Sequence, residues 1–339
     1  ISGSGPATTA AVGMLMVPAM TARGYDRAYA GAVTAASGGI GIIIPPSIPM
    51  VIFGISAMGL QVPVEAVQKH GEFAGLSIPK LFMAGAIPGL VMALALIVMN
   101  ALISRQRGYR GLTETWRLHT LLTAVRQGVW SLVAPVIILG GIYCGLFTPT
   151  ESAVVAIAYT VLVGVLLHRE MTWAKARDAL RATTWITGRV LLILFAATVF
   201  GRVLVEEEIP AQLAAQLLGM TDSLEVVWLF LIVLLLFVGM FMETLAAIMI
   251  LVPVLMPIMY MLGADPTHVG IVVICALSIG FQTPPLGENL FVASGISGMT
   301  VEQIVVKVVP FTLVSILALL LIAYVPALSL WLPAMMGYE

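Results

Sequence analysis

The chain reads as long apolar runs separated by short polar punctuation. Residues 28–64, 81–104, 127–150, 226–242, 244–264, 266–287 and 308–338 contain no Asp, Glu, Lys or Arg. A helix needs about 20 apolar residues to cross about 30 Å of hydrocarbon, and most of these runs fit one crossing. The 28–64 run is too long, since as straight helix it would reach roughly 55 Å. Its middle, SGGIGIIIPPSIP, sets Gly38, Gly39 and Gly41 before Pro45, Pro46 and Pro49. Proline removes a helical hydrogen bond and clashes with the preceding turn, and glycine leaves the backbone too free, so continuous helix is excluded there. The pattern predicts one broken span.

Charge sets the orientation. If the polar stretch from Arg105 to Arg126 faces the cytoplasm, counting crossings puts Arg23, Arg27, Arg169, Lys175, Arg177, Arg181, Arg189 and Lys307 on the same side. Only Lys69, Lys80 and Arg202 fall opposite, so 13 of the 16 basic residues lie inside and 3 outside, the asymmetry expected of cytoplasmic loops. The far side collects Glu206, Glu207, Glu208, Asp222 and Asp265. Segments 105–126 and 169–189 are expected as basic amphipathic helices in the cytoplasmic interface, or as ordinary loops.

Composition agrees with this reading. Of 339 residues, 60% are apolar and 10% charged, against about 45–50% and about 25% in soluble domains. A net charge of -1 leaves no basic excess for nucleic-acid phosphates. Cys144 and Cys275 lack any CxxC spacing and read as small core hydrophobes. The expectation is an all-α polytopic membrane protein. The chain opens on ISGSGPATTAA with neither an initiator Met nor a signal peptide, so it is expected to be N-terminally incomplete.

The sequence repeats itself at long range. TTAAVGMLMVP (8–18) and ETLAAIMILVP (243–253) match at Thr9/Thr244, Ala11/Ala246, Met14/Met249, Val17/Val252 and Pro18/Pro253. A double-proline break follows in each copy, IIIPPSIPMVIFGIS (42–56) and FQTPPLGENLFVASGIS (281–297). By the charge map the loop after the first copy faces the cytoplasm and the loop after the second faces outward. Inverted repeats with interrupted helices are the signature of secondary transporters, whose breaks mark the substrate and ion sites. The tip GMFMET (239–244) lies between two apolar runs and is expected to turn a hairpin, of which the first copy supplies only its second arm.

ISGSGPATTAAVG, AASGGIGIIIPPSIPMVIFG, GLFTPTESAVVA (145–156) and FVGMFMETLAAIMILVPVLMP resemble the large membrane subunit of the TRAP (tripartite ATP-independent periplasmic) transporters. The resemblance runs along essentially the whole chain. It implies an inverted-repeat, elevator-type secondary transporter with two helical hairpins and two broken helices, placed in the bacterial or archaeal inner membrane. It also implies a small four-helix membrane subunit, a periplasmic substrate-binding protein, an organic-acid substrate such as a C4-dicarboxylate or sialic acid, and sodium as the coupling ion, with no other cofactor. On that basis residues 1–60 hold the second arm of the first hairpin and the first broken helix. Residues 61–125 hold a scaffold span and an amphipathic segment, and 126–222 further scaffold spans and an amphipathic arm. Residues 223–300 form the second hairpin and broken helix, and 301–339 a C-terminal scaffold span.

Glu243 is the sharpest single signal, because a carboxylate between two uncharged runs costs roughly 2.5–3.5 kcal/mol unless paired or wet. It reads as a sodium ligand or as the N-cap of the helix starting TLAA. Its counterpart is Thr8, so the two sites should differ chemically. Ser2, Ser4 and Thr9 crowd the first tip, with oxygens that suit a hard cation, or serve capping and close packing. Ser37, Gly38 and Gly39 precede the first break, and Ser278, Gly280 and Thr283 the second, where carbonyls should come free. With Thr244 these complete the expected sodium set. Substrate contact is expected at the breaks, from Pro45, Pro46 and Ser47 on one side and Gln282, Pro284, Pro285, Glu288 and Asn289 on the other. The bland reading of these polar residues is that they stabilise unwound backbone. The TPTE turn (148–151) reads as a helix start or as a contact for the binding protein.

Other functions find less support. Walker A is absent, so ATP hydrolysis by this chain is excluded. An intramembrane serine protease needs a base beside its nucleophile, but His70, His119, His168 and His268 all fall in polar loops or at span ends. A passive channel would need a continuous polar pore. Proton coupling, with Glu243 as carrier, remains the alternative to sodium. No enzymatic activity is expected.

Overall fold

The computed structural model describes residues 3–109, 118–169, 171–207, 212, 216, 219 and 223–338. Every regular element among them is helical, and five helices are long and apolar enough to cross a membrane: Ile78–Gln106, Pro149–Leu167, Leu224–Phe241, Thr244–Met261 and Val301–Tyr324. The chain divides into two units, one of residues 1–110 with 197–339 and one of residues 111–196.

The first unit is built around the two expected breaks. Helix α1 (Gly5–Thr21) is the single arm after the first tip. Helix α2 (Arg27–Gly38) passes into a 3-10 turn (Gly39–Ile42), and the chain restarts as α3 (Ile48–Met58). The second break repeats this order later in the unit. Helices α9 (Leu224–Phe241) and α10 (Thr244–Met261) flank the tip at Met242 and Glu243, and α11 (Pro266–Gly280) restarts as α12 (Glu288–Ser297). Both double prolines, Pro45–Pro46 and Pro284–Pro285, carry a cis peptide.

Packing exchanges the two halves. Arm α1 lies against α12, the restarted helix of the other half, and arm α10 lies against α3. Helix α11 is central, with every residue from Pro266 to Gly280 buried, as an all-round apolar helix must be. Helix α2 is rich in Ala and Gly, buries most of its length, and lets neighbours approach closely. Gly31 faces Ile304 and Ser297, and Gly38 faces Thr9.

Four more helices complete this unit: α4 (Val64–His70), α5 (Ile78–Gln106), α13 (Val301–Tyr324) and α14 (Ala327–Met335). Helices α5 and α13 pack on each other, α5 also on α11 and α13 also on α2. Helices α5 and α13, two of the spans read from sequence as scaffold, lie in the same unit as the hairpin and the breaks. His268 lies at a span end as expected, but it is not in a polar setting. It is buried at the start of α11, with Nε2 3.1 Å from the Ala323 carbonyl and Nδ1 3.2 Å from Ser329 Oγ. A carbonyl only accepts, so Nε2 carries the proton.

In the second unit, α6 (Leu118–Tyr143) pairs with α7 (Pro149–Leu162), which ends in a π turn through Leu167. Ser152 Oγ donates to the Ile138 carbonyl at 3.0 Å, and Tyr159 OH to the Trp130 carbonyl at 2.7 Å. The TPTE turn is the expected helix start, since Thr148 and Glu151 form a reciprocal capping box. Two expectations need correction. Cys144 is exposed, whereas Cys275 is buried as expected. The basic segment 169–189 is not a separate interfacial helix, because α8 runs unbroken from Trp173 to Glu206. That stretch holds no proline, and Gly188 and Gly201 alone do not stop a helix.

Close glycine contacts make a direct test. A Cβ on Gly280 would fall onto the Gly239 backbone carbonyl, which has no flexible end to yield. Gly280→Ala should cost about 1–3 kcal/mol through overpacking, read as a lower thermal midpoint of the purified protein. Gly295→Ala on α12, where a Cβ meets nothing within 4 Å, should leave the midpoint unchanged or raise it.

Candidate functional site at the helix breaks

Where the two broken helices cross, each completes the other. Ser278 Oγ donates to the Gly39 carbonyl at 3.0 Å, tying α11 to the 3-10 turn of the first break. Each tip also leans on a break. A Cβ on Gly3 would lie 3.0 Å from the Ile48 nitrogen and 3.2 Å from the Pro46 carbonyl. At the second tip Leu286 N–H donates to the Met240 carbonyl at 3.3 Å. Buried backbone must be satisfied from within the protein at such depth, and these contacts do it.

The expected sodium residues divide into groups. Ser2 lies outside the described residues. Ser4 is the half-buried N-cap of α1, and its carbonyl accepts from Thr8 Oγ1 at 2.8 Å. Thr9 is fully buried, its Oγ1 has no hydrogen-bond partner, and it abuts the bare face of Gly38. Ser37 Oγ returns to the Thr34 carbonyl at 3.2 Å. Thr9 and Ser37, with Gly38, Gly39 and Ser278, gather around the end of α2. The second group belongs to the other tip. Glu243 caps α10, its carboxylate accepting from Ala246 N–H at 3.3 Å, and Thr244 beside it is buried. Gly280 touches Gly239, and Thr283 Oγ1 donates to its own helix at the Ile279 carbonyl, 2.7 Å away. The capping reading of Glu243 is thus realised, which leaves its second carboxylate oxygen for other work.

The expected substrate residues divide too. Pro45 is buried, and Ser47 caps α3 by accepting from Met50 N–H while its hydroxyl donates to the Ile42 carbonyl. Gln282 is turned inward, its amide donating to Ser315 Oγ at 3.2 Å. Asn289 is fully buried and donates from Nδ2 to the Ala35 carbonyl at 3.0 Å. Pro46, Pro284 and Glu288 are half-buried and Pro285 is exposed. Gly287 at φ 25° opens α12 without a side-chain cap, a backbone angle that glycine tolerates best. No motif pointed to Gly5, whose α-carbon faces the Phe281 ring, nor to Gly239 against Gly280. Their signal was only a small residue near a break.

Fold and site define a multi-pass helical membrane protein organised around two interrupted helices. Residues 1–328 match the family described as the tripartite ATP-independent periplasmic transporter, DctM component. Among curated proteins the chain is 42% identical to the isethionate TRAP transporter permease protein DctMQ of Oleidesulfovibrio alaskensis, over 98% of this chain and 49% of that protein. It is 36% identical to the C4-dicarboxylate TRAP transporter large permease protein DctM of Rhodobacter capsulatus, over 99% of this chain and 76% of that protein. It is also 36% identical to the sialic acid TRAP transporter large permease protein SiaM of Vibrio cholerae, over 100% of this chain and 75% of that protein. The chain therefore spans about half the length of the first relative and about three quarters of the other two. It belongs to the DctM family of TRAP transporter permeases, a family of transporters and not of enzymes.

The crossing of the breaks is testable through Ser278. Ser278→Ala removes this bond between α11 and the first break and should cost about 0.5–1.5 kcal/mol, read as a lower thermal midpoint. Thr160→Val, which loses only a bond to its own helix at Ala156, should shift the midpoint far less.

Proposed function

We propose that the chain is the permease subunit of a sodium-coupled, binding-protein-dependent secondary transporter that imports a small organic acid by an elevator mechanism. The observation that carries this reading is the fully buried Thr9 hydroxyl at the first tip, which has no hydrogen-bond partner and meets the end of α2. Oxygen donors without nitrogen or sulfur suit a hard monovalent cation. Ser2, Ser4, Thr9, Ser37, Gly38 and Gly39 would serve this first site, with Ser278 bridging to it. Glu243, Thr244, Gly280 and Thr283 would serve a second site at the other tip.

The matched order of arm, break and restart, and the exchange of packing between α1–α12 and α10–α3, support an inverted repeat. The unit that holds both breaks is then the candidate moving part, with α5 and α13 travelling with it. The second unit, with α6 and α7, is the candidate scaffold. Substrate contact falls to the segments that open the restarted helices, Pro45, Pro46 and Ser47 before α3, and Pro284, Pro285 and Glu288 before and at the start of α12. Backbone N–H groups at a helix start are ready donors to an acid's carboxylate. Gln282 and Asn289, turned inward, would support that segment from behind.

The relatives' names speak of isethionate, C4-dicarboxylates and sialic acid, and an organic acid is the substrate class we carry over. A small four-helix membrane subunit and a periplasmic binding protein would complete the system, in an inner membrane oriented by the basic loops. The fused name DctMQ fits a small subunit in the same system.

Uptake of labelled C4-dicarboxylate and sialic acid into proteoliposomes tests the reading, using the full-length permease with its small subunit and binding protein. An inward sodium gradient should drive accumulation, and Glu243→Gln should reduce it at least about tenfold while the protein stays folded. Accumulation driven by a pH gradient and indifferent to sodium would favour proton coupling at Glu243 instead.

A further inference from the structure

The geometry points to Asn289, on the second broken helix, as a positioning residue of the first-tip sodium site that links this site to the segment expected to touch substrate. The inference rests on the sodium reading above and reassigns a residue expected to contact substrate.

Asn289 is 0% exposed. Its amide orientation is fixed, because Nδ2 donates to the Ala35 carbonyl on α2 at 3.0 Å and a carbonyl cannot face an amide oxygen. Oδ1 must therefore point the other way, toward α1, where a Cβ on Gly5 would lie 3.3 Å from it. That oxygen has no hydrogen-bond partner. Thr9 Oγ1 also has none, although it sits on a helix where threonine hydroxyls normally return to the carbonyl four residues back. Thr8, Thr34, Thr283 and Thr312 all do so here. Thr9 turns instead onto Gly38, whose own added Cβ would lie 3.1 Å from Asn289 Nδ2. Two buried oxygens without a hydrogen-bond partner, one from each half of the fold, thus lie along arm α1, Thr9 Oγ1 against Gly38 and Asn289 Oδ1 beside Gly5.

The other half offers nothing equivalent. Counting from each double proline, the position of Asn289 is held in the first copy by Met50. Met50 is also 0% exposed, and its thioether packs on Gly85. A thioether is a poor ligand for a hard cation, so among the described residues the position matching Asn289 offers the second-tip site no oxygen. Asn289 also closes the second break itself, since its backbone N–H donates to the Phe281 carbonyl at 3.0 Å. One residue therefore grips the first site with its side chain and the loop of Pro284, Pro285 and Glu288 with its backbone. Sodium held at the first tip would fix the shape of that loop.

Binding of radiolabelled sodium to the purified full-length permease with its small subunit tests this directly. Asn289→Ala should raise the half-saturating sodium concentration about tenfold, the scale of one lost polar contact. Thr9→Val should match Asn289→Ala, and the double variant should fall short of the product of the two effects, since neighbours at one site are not additive. Met50→Leu should leave sodium affinity unchanged. If Asn289 were merely structural, Asn289→Ala would lower the thermal midpoint and the number of sites filled without moving half-saturation, and that result overturns the inference. Wild-type protein that binds no sodium would instead sink the sodium reading from which the inference starts.

Discussion

Everything in this structure follows from interrupting a helix where no water is at hand to satisfy its backbone. A break at bilayer depth frees N–H groups and carbonyls that must find partners within the protein. Here each break finds some of them in another part of the fold and closes the rest on itself. Ser278 serves the Gly39 carbonyl, the Met240 carbonyl serves Leu286 N–H, and the Phe281 carbonyl serves Asn289 N–H. The breaks must therefore cross, and the tips must dock on them. The glycines at the contacts exist because nothing larger fits: a Cβ on Gly38 would collide with Thr9, and one on Gly280 with the Gly239 backbone. Such a crossing places unwound backbone and small polar side chains at one buried point, which is the raw material of an ion site.

The two halves share this plan without sharing its chemistry. Ser47 caps α3 with a hydroxyl, while α12 starts on an uncapped glycine followed by Glu288 and Asn289. Glu243 stands where the first copy has Thr8, and Met50 where the second has Asn289. On the proposed reading, matched breaks with different side chains would let the two tips treat their ligands differently. The family gives the class of transporter, and these substitutions between its halves carry what is individual to the site.

Much of this was legible in the sequence because proline and charge act locally. Three prolines and three glycines in SGGIGIIIPPSIP place the first break between α2 and α3, and the lone carboxylate of GMFMET marks the turn between α9 and α10. The Thr148–Glu151 capping box follows from TPTE for the same reason. What escaped was set by long-range packing. Burial of His268 depends on Ala323 and Ser329, far along the chain. The inward turn of Gln282 depends on Ser315, and that of Asn289 on Ala35. Membership of α5 and α13 in the unit of the breaks depends on which faces they bury, which charge counting does not reveal. Exposure of Cys144 escaped because an apolar neighbourhood in sequence reads the same whether it faces protein or lipid.

The central claim is that the crossed breaks hold sodium, and thermal unfolding tests it without knowledge of the substrate. The purified full-length permease with its small subunit would be titrated with sodium and with potassium at constant ionic strength. An ion bound only to the folded state adds about 2.7 kcal/mol at 100 times its dissociation constant. The account expects a saturable rise in the midpoint with sodium alone, weakened in Thr9→Val. Superimposable sodium and potassium curves would contradict it.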